Sequence, residues 1–147
     1  MLPSAQCRIY ENFRGQLLQL LQTVKSIAQD SLTSVDRAVV SHRAGIPAEV
    51  VQLQLTFREQ VLTMPLEDIN PTHRAKVQSY QAEISKELRL VGLDCTFFLA
   101  ARQAETWAQR GQQVIDRIET LIRYCDGILE QPGNHLPKGG EIIETSC

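Results

Sequence analysis

Histidines, cysteines and one carboxylate set inside an apolar run are the positions where this chain could do chemistry. The histidines are His42, His73 and His135. Zinc and di-iron bundle sites need a second ligand about one helical turn away. None of the three has a His, Asp or Glu three or four residues further on. The expectation is therefore exposed histidines and no metal. The cysteines, Cys7, Cys95, Cys125 and Cys147, form no C-x-x-C pair. Cys95 and Cys125 fall on apolar stripes, where a thiol acts as a small inert hydrophobe. A Cys95–Cys125 bridge between helices stays open as an alternative. Cys7 and Cys147 are expected as exposed thiols. "PKGGE", Pro137 to Glu141, has the glycines and lysine of a phosphate loop, but no strand precedes it and no helix follows. G-x-S-x-G and H-E-x-x-H are absent. No catalytic residue and no cofactor is expected.

The carboxylate is Asp94, in "KELRLVGLDCTFFLAARQAET", Lys86 to Thr106. A membrane span wants about 20 mostly apolar residues. The run from Leu88 to Ala101 is shorter and contains Arg89, Gly92 and Asp94. A charge at the bilayer centre costs at least ~2.5 kcal/mol, so a span is excluded and a core helix expected. Leu88, Val91, Cys95 and Phe98 then share one face. Leu90, Phe97 and Ala101 form a second ridge beside Asp94, and Leu93 with Ala100 a third. Gly92 is read as a close approach by a neighbouring helix, since glycine costs about 1 kcal/mol against alanine in a helix interior. Asp94 is read as one side of an ion pair, with Arg123, Arg14 or Arg58 as partner. The exposed positions Arg89, Leu90, Asp94 and Phe97 set apolar area beside opposite charges. They are the candidate partner-binding residues. Arg89, Arg102 and Arg123 could meet an acidic partner, although solvated helix faces carry such residues routinely.

The elements that position these residues read as helices throughout. The fold class is an all-α antiparallel bundle of four main helices, with residues 1–130 as one domain and 131–147 as a flexible tail. The first helix follows Pro3, with Ser4 as cap, and runs to about Gln29 on the stripe Ile9, Phe13, Leu17, Leu20, Leu21, Val24 and Ala28. In residues 30–46 a short helix from Ser34 to Arg43, with Val35, Ala38 and Val39 as its apolar side and Gly45 stopping it, competes with a loop. Pro47 opens the next helix, with Val50, Val51, Leu53, Gln54, Phe57, Val61 and Leu62, and Pro65 ends it. Asn70 caps the longest helix, Pro71 to about Arg102, roughly 48 Å at 1.5 Å per residue. Its stripe is Val77, Tyr80, Ile84, Leu88, Val91, Cys95 and Phe98. "TWAQ", Thr106 to Gln109, matches a capping box at the head of the last helix. The seam there is Trp107, Gly111, Val114, Ile118, Leu121, Cys125 and Ile128, with Ala108, Ile115, Ile122 and Leu129 beside it. Trp107 is read as an anchor over the hairpin of the two long helices. The third helix is the longest, so one end can project and leave apolar surface for a partner.

Composition narrows the function classes. The chain has 147 residues, 15 Lys plus Arg against 17 Asp plus Glu, and a net charge of −2. Positive and negative charges balance in each region, and no segment carries the basic excess that phosphate neutralisation requires. Nucleic acid is not an expected partner. The opening "MLPSAQCRIYENF" has no apolar run of the secretory kind, so a reduced, cytoplasmic chain is expected.

"VQSYQAEISKELRLVGLDCTFFLAARQAET", Val77 to Thr106, and "RIETLIRYCDGIL", Arg117 to Leu129, together resemble the PatD family of heterocyst frequency control proteins from filamentous cyanobacteria. "MLPSAQCRIYENF" fits the same short leader and aromatic pair. The resemblance covers the two long C-terminal helices well and the first helix weakly. It does not extend to residues 30–46 or the tail. It implies a non-enzymatic regulator that binds the tubulin-like division protein FtsZ, modulates its assembly, and so influences how many cells become heterocysts. It carries no catalytic residues over. The competing readings are a self-associating bundle, a homodimer through the exposed part of the third helix that binds another protein, and a small enzyme or metal carrier. The last lacks inward carboxylate and histidine pairs.

Overall fold

A computed structural model describes residues 2–30 and 37–130, the side chains of 37–40 excepted. It contains four α-helices: α1 Ser4–Ala28, α2 Arg37–Thr56, α3 Pro71–Ala100 and α4 Ala104–Leu129. A π-helical turn, Phe57–Val61, continues α2. No strand occurs among the described residues.

Pairwise contacts fix the topology. Gln6 donates to the Pro65 carbonyl, and the Phe13 and Phe57 rings lie 5.7 Å apart, so α1 and α2 are antiparallel. Gln54 Nε2 donates to the Leu88 carbonyl at 3.4 Å, and the tilted ring pairs Tyr80–Tyr124 and Phe98–Trp107 join α3 to α4. Arg14, near the middle of α1, pairs with Asp126 near the C-terminus of α4, while Gly111 near the start of α4 lies against Ala28 at the end of α1. Each helix thus runs against both its neighbours, an up-down-up-down four-helix bundle. The core lies along its axis, where Tyr10, Phe13, Leu17, Ile84, Phe98 and Ile118 are fully buried.

The stripe of α4 matches expectation at every position from Trp107 to Ile128, with Ile115 and Ile122 buried beside it. Asn70 caps α3 as expected, its side chain accepting from the Thr72 N–H at 2.9 Å. Other details differ. Ser4 is not a cap: Pro3 takes the cap position in extended geometry, and the helix starts at Ser4 without a side-chain cap. The buried face of α1 enters through Cys7 and Tyr10, whereas Ile9 is only partly buried. On α3, Gln81 is buried in place of Tyr80, because its side chain reaches the Tyr10 hydroxyl at 2.9 Å. The capping box at Thr106 is unused; α4 starts at Ala104, so Thr106 is already helical. The third helix stops at Ala100, where Ala101 turns extended.

The largest correction is in α2. Gly45 does not stop a helix and Pro47 does not start one, because both lie inside one continuous helix. An interior proline forfeits a backbone bond and costs about 3 kcal/mol. Ile46, Val50, Leu53 and Phe57 are all buried on one stripe crossing that point. Each is worth about 1.5–3 kcal/mol, which outweighs the break. Val51 and Leu62, expected on the stripe, are 53 % and 49 % exposed. The π-turn, closed by the Leu62 N–H on the Phe57 carbonyl at 2.9 Å, keeps Phe57 and Val61 both inside. The helix thus stops before Pro65. The Ser34 cap and Val35 lie outside the described residues, as does the tail.

Candidate partner-binding surface

The four residues singled out on α3 do not form one patch. Asp94 is withdrawn from it. Arg117 of α4 lies between Asp94 and Glu87, two α3 residues one heptad apart. Its Nε donates to Asp94 Oδ2, and its Nη1 to Glu87 Oε2 at 2.9 Å. The hydrogen bond donated to Asp94 leads the effects that push the guanidinium pKa up, burial opposes, and Glu87 adds to the rise. Asp94 therefore has an ion-pair partner as expected, but a different one. Arg14 is engaged by Asp126 at 2.6 Å, and Arg123 bonds Thr120 Oγ1 at 2.9 Å. Arg117 lies off the apolar seam, so the stripe does not point to it. Its spacing opposite Glu87 and Asp94 emerges only once the hairpin register is set.

The remaining three have different surroundings. Arg89 is exposed and Leu90 half-buried. Phe97 is 51 % exposed, and the Arg110 guanidinium lies 4.9 Å from its ring centroid. Leu93, one turn before Phe97, is 52 % exposed. It belongs to the ridge opposite the buried stripe, the one signal that could have placed it. Leu93 and Phe97 at i and i+4 are neighbours on a helix surface.

Two clefts flank these side chains. One, of about 530 Å³, lies between α2 and α3 and is lined by Pro47, Val50, Val51, Gln54, Gly92 and Leu99 among others. Gly92 forms part of its floor. A Cβ there would meet Gln54 Nε2 at 3.2 Å and Val50 Cγ1 at 3.8 Å. The neighbouring helix does approach Gly92, with side chains. The second cleft, of about 330 Å³, lies where α3 passes to α4 and is lined by Phe97, Ala100, Ala101, Arg102, Gln103, Thr106 and Arg110.

His73 and Cys7 are not where the sequence suggested. His73 is buried, not exposed, and neither ring nitrogen has a hydrogen-bond partner. Burial lowers its pKa. It faces inward because it is one turn before Val77 on the same stripe. His42 is exposed as expected, and His135 lies outside the described residues. Cys7 is buried rather than exposed, on the inner face of α1; Cys147 lies outside the described residues. Cys95 and Cys125 are free and buried, and desolvation pushes both thiols up to about 12. Trp107 is buried against Phe98, with ring centroids 4.1 Å apart, which makes it an anchor in the hairpin. Among the described residues no three His, Cys, Asp or Glu side chains gather as a metal site. No helix among them is long and apolar enough to cross a membrane. What the arrangement can do is bind: half-exposed apolar side chains sit beside clefts on a rigid helix pair. No family model, curated protein or solved structure matches this chain.

Proposed function

We propose that this chain is a non-enzymatic adaptor that binds a protein partner through the C-terminal half of α3. The partner proposed is FtsZ, whose assembly the bound adaptor shifts, with heterocyst frequency as the downstream consequence. The observation that carries the adaptor reading is the outward display of Leu93 and Phe97. Full burial of such a side chain is worth about 1.5–3 kcal/mol. Covering the exposed half of each returns roughly 1 kcal/mol, and Val51 across the cleft adds a similar amount. Together that is about 3 kcal/mol, or roughly a hundred-fold in affinity. The choice of FtsZ rests on the resemblance of Val77–Thr106 and Arg117–Leu129 to the PatD family.

A ligand shifts an assembly equilibrium only through unequal affinity for the two states. Preference for polymer would raise assembly, and preference for subunit would lower it. Pelleting FtsZ with GTP, with and without the protein, tests this. The expected result is a change in pelleted FtsZ that Leu93→Ser with Phe97→Ser abolishes. No change and no co-sedimentation would refute FtsZ as partner. The same exposed side chains favour a second reading, self-association through α3. A mass by light scattering that stays monomeric as concentration rises would rule it out.

A further inference from the structure

The cleft between the end of α3 and the start of α4 differs from the apolar one beside it. Its floor is apolar, with Phe97, Ala100 and Ala101, and its rim carries Arg102 and Arg110. Neither arginine is in an ion pair among the described residues. Arg110 is held over the Phe97 ring, so its guanidinium is pre-oriented and its nitrogens stay available at the edge. The acids nearest in the chain do not neutralise the rim. Asp94 is engaged by Arg117, and Glu105, though exposed, does not line the cleft.

We infer that this cleft takes a short acidic–apolar segment of a partner protein, one apolar side chain on Phe97 with carboxylates on Arg102 and Arg110. Three features select that occupant. Guanidinium groups match carboxylates in planar, two-point geometry. The floor needs an apolar side chain to displace water, which a purely acidic chain lacks. A volume of about 330 Å³ is at the small end for ligand sites, about 300–1,000 Å³, so it suits a short motif and not a whole helix. An anionic membrane surface is recognised by clusters of roughly four to eight basic residues, and two arginines fall short of that.

The inference rests on the partner-binding reading and not on the partner's identity. The probe is a fluorescein-labelled eight-residue peptide with two acidic residues on each side of a Leu-Phe pair, followed by fluorescence anisotropy against the full chain. Saturable binding is expected, weakened about ten-fold by Arg102→Glu or Arg110→Glu, since a hydrogen bond to a charged group is worth at least that factor. Replacing every acid by Lys, or the Leu-Phe pair by Ser-Ser, should weaken it as much. Amide shifts in NMR spectra should centre on Phe97, Arg102 and Arg110, and unchanged circular dichroism would show that the variants fold. Absent binding, binding indifferent to both variants, equal binding of the Ser-Ser peptide, or tighter binding to phosphatidylserine vesicles would each overturn it. The assay contains no FtsZ. Peptide binding that survives a failed FtsZ pelleting experiment removes only FtsZ as the partner.

Discussion

Arg117→Met removes one guanidinium and leaves two α3 carboxylates, Glu87 and Asp94, without their counter-charge at the α3–α4 seam. In the native bundle the Glu87 and Asp94 side chains are 12 % and 13 % exposed, and Arg117 24 %. Methionine keeps much of the aliphatic stem, so lost packing is small. Breaking a buried pair by deleting one partner costs about 3–5 kcal/mol, chiefly through the stranded charge. Some water reaches these groups, which lowers the expected cost to about 2–4 kcal/mol. In a chain of this size 1 kcal/mol moves the melting temperature by roughly 3–5 °C, so a drop of ~10 °C is expected. Urea unfolding followed by circular dichroism measures the free energy directly. Adding Glu87→Gln and Asp94→Asn to the Arg117→Met variant should recover at least half of the loss, because no charge is then stranded. A loss below about 0.5 kcal/mol would class the triad with surface pairs. A loss that the two amides fail to relieve would point to packing and refute the electrostatic account.

Glycine substitutions on the two long helices should diverge. Gly111→Ala places a Cβ 3.0 Å from fully buried Phe98 and 3.1 Å from the Ala28 methyl. Overpacking of about 1–3 kcal/mol should exceed the ~1 kcal/mol gain in helix propensity, giving a lower urea midpoint. Gly92→Ala comes close only to the end of the flexible Gln54 side chain, with Val50 at ordinary contact distance, and should be neutral or stabilising by up to ~1 kcal/mol in the same assay. The buried, unpartnered His73 has a lowered pKa, so below its unfolded value of about 6.5 the unfolded chain takes up the proton first. Stability is full above that pH and falls beneath it, by up to ~1.4 kcal/mol per pH unit. Urea midpoints at descending pH should show His73→Leu reducing that slope; an identical slope counts against the assignment. Raised Glu49 acts in the opposite sense, nearer the carboxylate range, and is common to both proteins. Cys95 and Cys125, with thiols pushed up to about 12, should escape iodoacetamide at pH 8 until urea is added. Peptide mass mapping would detect native-state labelling, the contrary result.

What could be read from the chain was whatever repeats. The α4 seam was legible because its apolar residues return every three or four positions without exception, and Asn70-Pro71 because cap and first residue act locally. Local signals misled where tertiary burial opposed them. Gly45 and Pro47 looked like punctuation, yet Ile46, Val50 and Leu53 bury across them. Thr106 had the right residues for a cap, yet the chain had already turned helical. His73 reads as surface by residue type, and only its phase with Val77 shows otherwise. On the candidate surface Phe97 stands exposed as expected. The Asp94 partner was illegible, because which arginine faces it depends on the register of one helix against another.

That register also decides what the surface displays. The C-terminal half of α3 is apolar over most of its circumference, so hydrophobicity alone leaves its rotation weakly determined. Two polar contacts remove the freedom. Gln81 must meet the Tyr10 hydroxyl inside the core, and Asp94 must meet Arg117 on the α4 side. An α-helix advances about 100° per residue. With Asp94 directed at α4, Leu93 is turned about 100° and Phe97 about 60° away from it, both to the same side. Burying either instead would swing Asp94 away from Arg117 and strand both charges, at a cost above the roughly 1 kcal/mol that one further half-buried side chain returns. The same ion-pair triad that joins α3 to α4 therefore holds Leu93 and Phe97 outward. On this account Arg117→Met should weaken partner binding as well as stability, even in a fraction that remains folded and never touches the partner through Arg117.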